Sequence, residues 1–106
     1  MSSPNIPHPL PRELVEILSE RMALLGDPTR IRILDQLRGG ERNVQSIADA
    51  LMTTQQNVSG HLRLLLAAGA VSRRPAGREV FYRASDETAF DVWGRLVAGL
   101  QETRRE

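Results

Sequence analysis

Gln56, Asn57, Ser59 and Arg63 are the residues best suited to chemistry in this chain, and all fall within the stretch Gln45 to Ala68, QSIADALMTTQQNVSGHLRLLLAA. Glutamine and asparagine amides pair bidentately with adenine, and a guanidinium pairs with guanine, when a helix presents them to the edges of base pairs. At 100° per residue Val58, Leu62, Leu65 and Leu66 form one apolar stripe, while Gln56, Gly60 and Arg63 lie opposite. This pattern predicts a helix with one buried face and one reading face. Thr54 is placed to cap it, and Gly60 lets the backbone approach a groove floor closely. A preceding helix and the turn Met52-Thr53 complete a helix-turn-helix.

Catalytic chemistry has little to stand on. The two histidines, His8 and His61, have no acid nearby in sequence, and there is no nucleophile-elbow glycine pattern. Gly39-Gly40 follows a helical stretch, so it serves better as a helix stop than as a phosphate cradle. His61 lies on the flank of the apolar stripe, where packing or a phosphate contact outweighs a metal role. With no cysteine in the chain, disulfides, thiolate metal sites and thiol switches are excluded. The expectation is a protein that is not an enzyme and uses no cofactor.

The elements that must position this face can be read in order. Residues 1–10, with Pro4, Pro7 and Pro9, read as a flexible arm. Leu14, Ile17, Leu18, Met22 and Leu25 recur at helical spacing from Arg12 to Leu25. Asp27-Pro28 is a helix start signal, and the helix it opens, 28–38, is expected to turn Ile31, Leu34 and Leu37 inward. Asn43 is placed to cap the third helix, with Val44, Ile47, Ala48 and Leu51 inside. After the reading helix Gly69 supplies a left-handed stop. Val71 to Arg74 and Glu79 to Arg83 have strand character around the turn Pro75-Ala76-Gly77, giving a hairpin with Arg73, Arg74 and Arg78 near its tip. Ser85 is expected to cap a last helix with Asp86 and Glu87 in its first turn, lined by Phe90, Trp93, Leu96, Val97 and Leu100. The expected fold is mainly α with a β-hairpin wing, in the order α-α-α-α-β-β-α, as one domain over 11–102 with the tail 103–106 fraying.

At 106 residues the chain buries only a modest core alone. Leu14, Ile17 and Leu18 in the first helix, with Phe90, Trp93, Leu96, Val97 and Leu100 in the last, offer more apolar surface than that core needs, and are expected to form a homodimer seam. The net charge is only +1, but between Gln55 and Arg83 five arginines face the single acid Glu79. That clustering points to a polyanion. No apolar run approaches a membrane span, and the amino terminus lacks a signal-peptide pattern, so a cytoplasmic protein that does not engage a membrane is expected.

The segments ALLGDPTRIRILDQLR, VSGHLRLLLAAGAV and GREVFYRAS, in this order and spacing, resemble the ArsR/SmtB family of winged helix-turn-helix repressors over residues 20–100. The resemblance implies a homodimer joined through its first and last helices and repression relieved when a ligand changes the dimer's shape. It puts DNA contacts on Thr54, Gln55, Gln56, Asn57, Ser59, His61 and Arg63, and on the wing residues Arg73, Arg74 and Arg78. It also marks departures. Where many metal-sensing members have two cysteines, this chain has Asn43 and Gln45; where others have an Asp-x-His and a His-x-x-Glu, it has Asp86, Thr88, Gly99 and Glu102.

The reading that follows is a homodimeric repressor binding double-stranded operator DNA at an inverted repeat, with no metal site and an unknown small-molecule or ion effector, if any. Two rivals stay open: a metal-responsive repressor with a non-thiolate site, and a winged-helix module that binds protein instead of DNA.

Overall fold

The computed structural model describes residues 5–85 and 87–104. Pro4, within the expected arm, and Asp86, expected in the last helix's first turn, lie outside them. The elements are α1 (Arg12–Leu25), α2 (Pro28–Leu37), β1 (Arg42–Asn43), α3 (Val44–Leu51), α4 (Gln55–Ala67), β2 (Val71–Ala76), β3 (Glu79–Ala84) and α5 (Thr88–Arg104). This is the order read from the sequence, with one short strand added. No helix among the described residues is long and apolar enough to cross a membrane.

Local chemistry sets the helix starts. Asp27 accepts from the Arg30 amide with Pro28 in the first turn, Asn43 Oδ1 accepts from the Ser46 amide at 2.8 Å, and Thr54 Oγ1 accepts from the Asn57 amide at 3.0 Å. Each side chain satisfies a backbone donor that the helix leaves unpaired. The last helix departs from expectation. Ser85 Oγ donates to the Gly69 carbonyl at 2.7 Å, and α5 begins only at Thr88. The hydroxyl thus holds the end of the hairpin to its beginning and is not available as a cap. At its other end α5 continues through Arg104, past the expected start of a frayed tail, and Thr103 Oγ1 donates back to Gly99 O.

The core lies between α2, α3 and α4, with Val71 of the hairpin closing one side. Ile33, Ile47, Val58 and Leu65 are wholly inaccessible to solvent, and Leu34 and Leu62 nearly so. Burial of each such side chain contributes about 1.5–3 kcal/mol. In α2 the inward face is Ile33, Leu34 and Leu37; Ile31 is half-buried and lines an open groove between α2 and α5. Sequence periodicity chose Ile31 because it is three residues from Leu34, but the helix is rotated so that the adjacent pair Ile33-Leu34 enters the core.

The sheet has the order β1-β3-β2, all antiparallel. Both hairpin strands run further than their alternation implies: Pro75 pairs with Val80 and Ala76 with Glu79, leaving Gly77-Arg78 as the turn. Pro75 is tolerated because β2 is an edge strand with no further ladder to donate to, and Gly77, at φ +64°, takes the left-handed conformation that the turn requires. The third strand, β1, is two residues long, with Arg42 opposite Tyr82 and Asn43 opposite Phe81. Nothing in its sequence alternates over enough length to reveal it.

Alternate residues share a face of the sheet. On the outer face the Arg74 guanidinium of β2 lies over the Phe81 ring of the central strand, 5.3 Å from its centroid. It reaches Glu41, just before β1, through Nε–Oε2 at 3.0 Å and Nη2–Oε1 at 2.9 Å. The hydrogen bond from Arg74 holds the Glu41 carboxyl below its usual 4.5, the charges of Arg74 and Arg83 add to this, and partial desolvation opposes it. Because the folded value is the lower one, this tie is fully present above the ordinary carboxylate range and is lost as pH falls through the depressed value. A carboxyl carbon titration by NMR should give a Glu41 midpoint below 4.5, moving upward in Arg74→Gln. A midpoint at or above 4.5 in the unaltered protein contradicts the tie.

The turn between α3 and α4 carries Met52 in the left-handed region, at φ 56° and ψ 46°, with its side chain 92 % exposed. An L-residue there costs about 1–2 kcal/mol, partly offset for glycine by its larger loss of chain entropy. Met52→Gly should therefore raise unfolding free energy by up to about 1 kcal/mol, and the β-branched Met52→Val should lower it. Denaturant midpoints check both, and the reverse order would contradict the assignment of strain to this residue.

Candidate nucleic-acid interface

With Val58, Leu62 and Leu65 buried, the rotation of α4 about its axis is fixed, and Gln55, Gln56, Asn57 and Arg63 stand exposed on its other side. Ser59 and Gly60 are half-covered. A methyl group built at Gly60 meets nothing within 4 Å, so this glycine is not required by packing inside the chain. Asn57 Nδ2 donates to Thr53 Oγ1 at 3.1 Å, which braces the turn, and the residue remains exposed. Gln56, Gly60 and Arg63, one and two turns apart, form the open part of the face.

His61 does not belong to that face. Its Nδ1 is buried, has no hydrogen-bond partner, and lies 3.9 Å from Asp27 Oδ2. Arg30 Nε, also buried without a partner, lies 3.8 Å from the same carboxylate oxygen. The imidazole packs under the start of α2, where a phosphate cannot reach this nitrogen. Its position on the flank of the stripe, three residues after Val58 and one before Leu62, is the sequence signal for the packing role.

The three wing arginines separate into two groups. Arg73 and Arg78 are exposed and carry no ion pair among the described residues, and Arg78 occupies the turn itself. Arg74 is bound to Glu41 as described. Two further side chains belong to this region that sequence reasoning did not single out: Glu41, and Glu79, whose Oε1 accepts from Asn43 Nδ2 at 2.8 Å. A shallow cleft lined by Asn43, Gln45, Gln55, Arg78 and Glu79 runs between the wing and the starts of α3 and α4. No local signal marks Glu41 or Glu79, because their partners are 33 and 36 residues away.

The expected dimer seam also divides. Leu14, Ile17, Leu18, Leu96, Val97 and Leu100 are each more than 40 % exposed, and α1 has no buried residue. Phe90 and Trp93 instead pack on the edge of the chain's own core, edge to face at 5.4 Å. Among the described residues no group of three or more His, Asp or Glu side chains could hold a metal ion. Asp86, one of the four positions compared with histidine-containing sites, lies outside those residues.

Chemically, the arrangement offers amide and guanidinium groups on one helix face for base edges, and free guanidiniums on an adjacent ribbon for phosphates. Comparisons with known proteins agree with this geometry. A helix-turn-helix domain family matches residues 25–74. The HTH-type transcriptional repressor SmtB of Mycobacterium tuberculosis is 45 % identical over 83 residues, which are 78 % of this chain and 62 % of that protein; the chain thus spans less than two thirds of the length of this relative. Among solved structures, NolR from Sinorhizobium fredii superposes with a TM-score of 0.75 at 28 % identity, covering 90 % of this chain and 93 % of that one. The homodimeric winged helix-turn-helix DNA-binding domain of Mb0332 from Mycobacterium bovis, described as a possible ArsR-family regulator, gives 0.69 at 26 %, covering 92 % and 93 %. Fold, segment order and sequence thus converge: the chain belongs to the ArsR/SmtB family of winged helix-turn-helix proteins.

Proposed function

We propose that this protein is a DNA-binding transcriptional repressor, not an enzyme, that acts as a homodimer on an inverted-repeat operator in the cytoplasm. Its folded unit spans 11–102 and continues to the end of α5. The observation that carries the reading is the face of α4 formed by exposed Gln56 and Arg63 with half-covered Gly60 between them, beside two wing arginines, Arg73 and Arg78, that have no ion-pair partner among the described residues. In a duplex α4 lies in the major groove, with Thr54, Gln55, Gln56, Asn57, Ser59 and Arg63 along its contact edge, and Arg73 and Arg78 meet the backbone or minor groove. Arg74 and His61 act inside the protein. The dimer forms through the uncovered faces of α1 and α5, as the homodimeric state of the Mb0332 domain supports.

The kind of bond each surface makes to DNA separates the two. Arg73→Ala and Arg78→Ala should weaken binding to all sequences and lower the salt slope by about one unit for each phosphate no longer neutralised. Gln56→Ala and Arg63→Ala should instead relax preference at particular base pairs, by about 1–3 kcal/mol each. Gly60→Ala should stabilise the free protein by about 0.5–1 kcal/mol through helix propensity, yet weaken operator binding by placing a methyl at the groove. Equilibrium binding to selected and random duplexes at two salt concentrations checks all three, and identical effects of the wing and helix variants on both duplexes would refute the division.

This reading assigns no metal effector. At the positions where family members carry cysteines, Asn43 has both ends of its amide engaged, by Ser46 and Glu79, and Gln45 offers no thiolate. Operator affinity should match in stoichiometric zinc and in chelator. A tenfold loss on adding zinc, restored by chelator, would favour a non-thiolate metal sensor instead.

A further inference from the structure

The wing is a lever. Its strands are six residues long, so its tip stands about 20 Å from its base, and a tilt of about 10° at the base moves Arg78 by about 3.5 Å. That displacement exceeds the tolerance of any hydrogen bond to a phosphate. The backbone alone gives the hairpin little support against such a tilt, since β1 pairs with it over only two residues.

Two side-chain ties on the outer face supply that support. Arg74 crosses the ring of Phe81 to Glu41 with a bidentate pair at 2.9 and 3.0 Å, so the edge strand is fastened across the central strand to the segment leading into α3. Asn43 donates from Nδ2 to Glu79, next to the turn, at 2.8 Å, while its Oδ1 accepts from the Ser46 amide. One amide thus starts α3 and holds the outer end of the wing. Since α3 packs on α4 through the core, both ties fix the wing against the reading helix.

We propose that Glu41 and Asn43 are positioning residues for DNA binding, which hold Arg74 and Glu79 so that the wing tip and α4 meet one duplex together. The inference rests on the DNA-binding reading above. It predicts an effect opposite in sign to simple electrostatics. Removing an acid from a DNA-facing region ordinarily strengthens binding to a polyanion, whereas removing Glu41 here frees the wing and weakens it.

The test uses the full chain and an operator duplex selected with the unaltered protein. Glu41→Gln and Asn43→Ser, the latter retaining a helix cap, should each lose roughly tenfold in operator affinity. Hydrogen exchange in the DNA-free protein should speed up at the β3 amides, with dimerisation and helix content unchanged. The double swap Glu41→Arg with Arg74→Glu should bind better than either single variant, which a general loss of stability would not produce. Affinity of Glu41→Gln equal to or above that of the unaltered protein, or a double swap no better than its singles, overturns the proposal. Failure of the unaltered protein to retain any duplex at low salt would appear before any variant is compared, and would bring down the DNA-binding reading itself.

Discussion

Burial of one stripe of α4 is the constraint on which the rest of this molecule depends. Val58, Leu62 and Leu65 are sealed against Ile33, Leu34, Ile47 and Leu51, and a helix so held cannot rotate about its axis without exposing several of them at about 1.5–3 kcal/mol each. The direction in which Gln56 and Arg63 point is therefore a consequence of the core. So is the position of the turn before α4. To bring α3 and α4 together at this angle, the chain passes through a left-handed residue, and Met52 accepts that conformation although its own side chain gains no burial from it.

The arginines show how one residue type is divided between fold and surface. Arg21 donates to the Ala68 carbonyl at the end of α4, Arg30 to the Leu24 carbonyl, and Arg32 to the Leu51 carbonyl at the end of α3. Each satisfies an acceptor that a helix leaves open or a connecting segment presents, and Arg74 is held by Glu41. Among the described residues Arg63 on α4 and Arg73 and Arg78 on the wing are left without an ion pair, as are Arg83, Arg95 and Arg104. A net charge of +1 conceals this, because the acids are distributed elsewhere or consumed in pairs.

Much of this was legible in the sequence where the determining interactions are local. The caps Asp27, Asn43 and Thr54 act on amides three residues away, and the stripe Val58, Leu62, Leu65 repeats with the helix, so both could be read directly. What could not be read depends on contacts between distant residues. The rotation that buries Ile33 in place of Ile31 is set by α3 and α4. The two-residue strand β1 exists only because β3 passes beside it, and Ser85 was drawn from its expected cap by the Gly69 carbonyl. The candidate surface was affected in the same way: the face of α4 was legible, while the packing of His61 and the engagement of Arg74, which stays exposed, depend on Asp27 and Glu41 being brought near.

In the proposed complex two copies of the α4 face and two wings engage one duplex as a two-fold unit. The chain has no cysteine, so a single Gln56→Cys or Arg78→Cys can carry a tethered iron chelate that cuts DNA near its point of attachment. Cleavage of a selected operator from position 56 should fall in two major-groove segments about one helical turn apart, related by two-fold symmetry, with cleavage from position 78 adjacent to each. Cuts confined to one half-site, or scattered evenly along operator and random DNA alike, would rule out two-fold engagement through α4 and the wing.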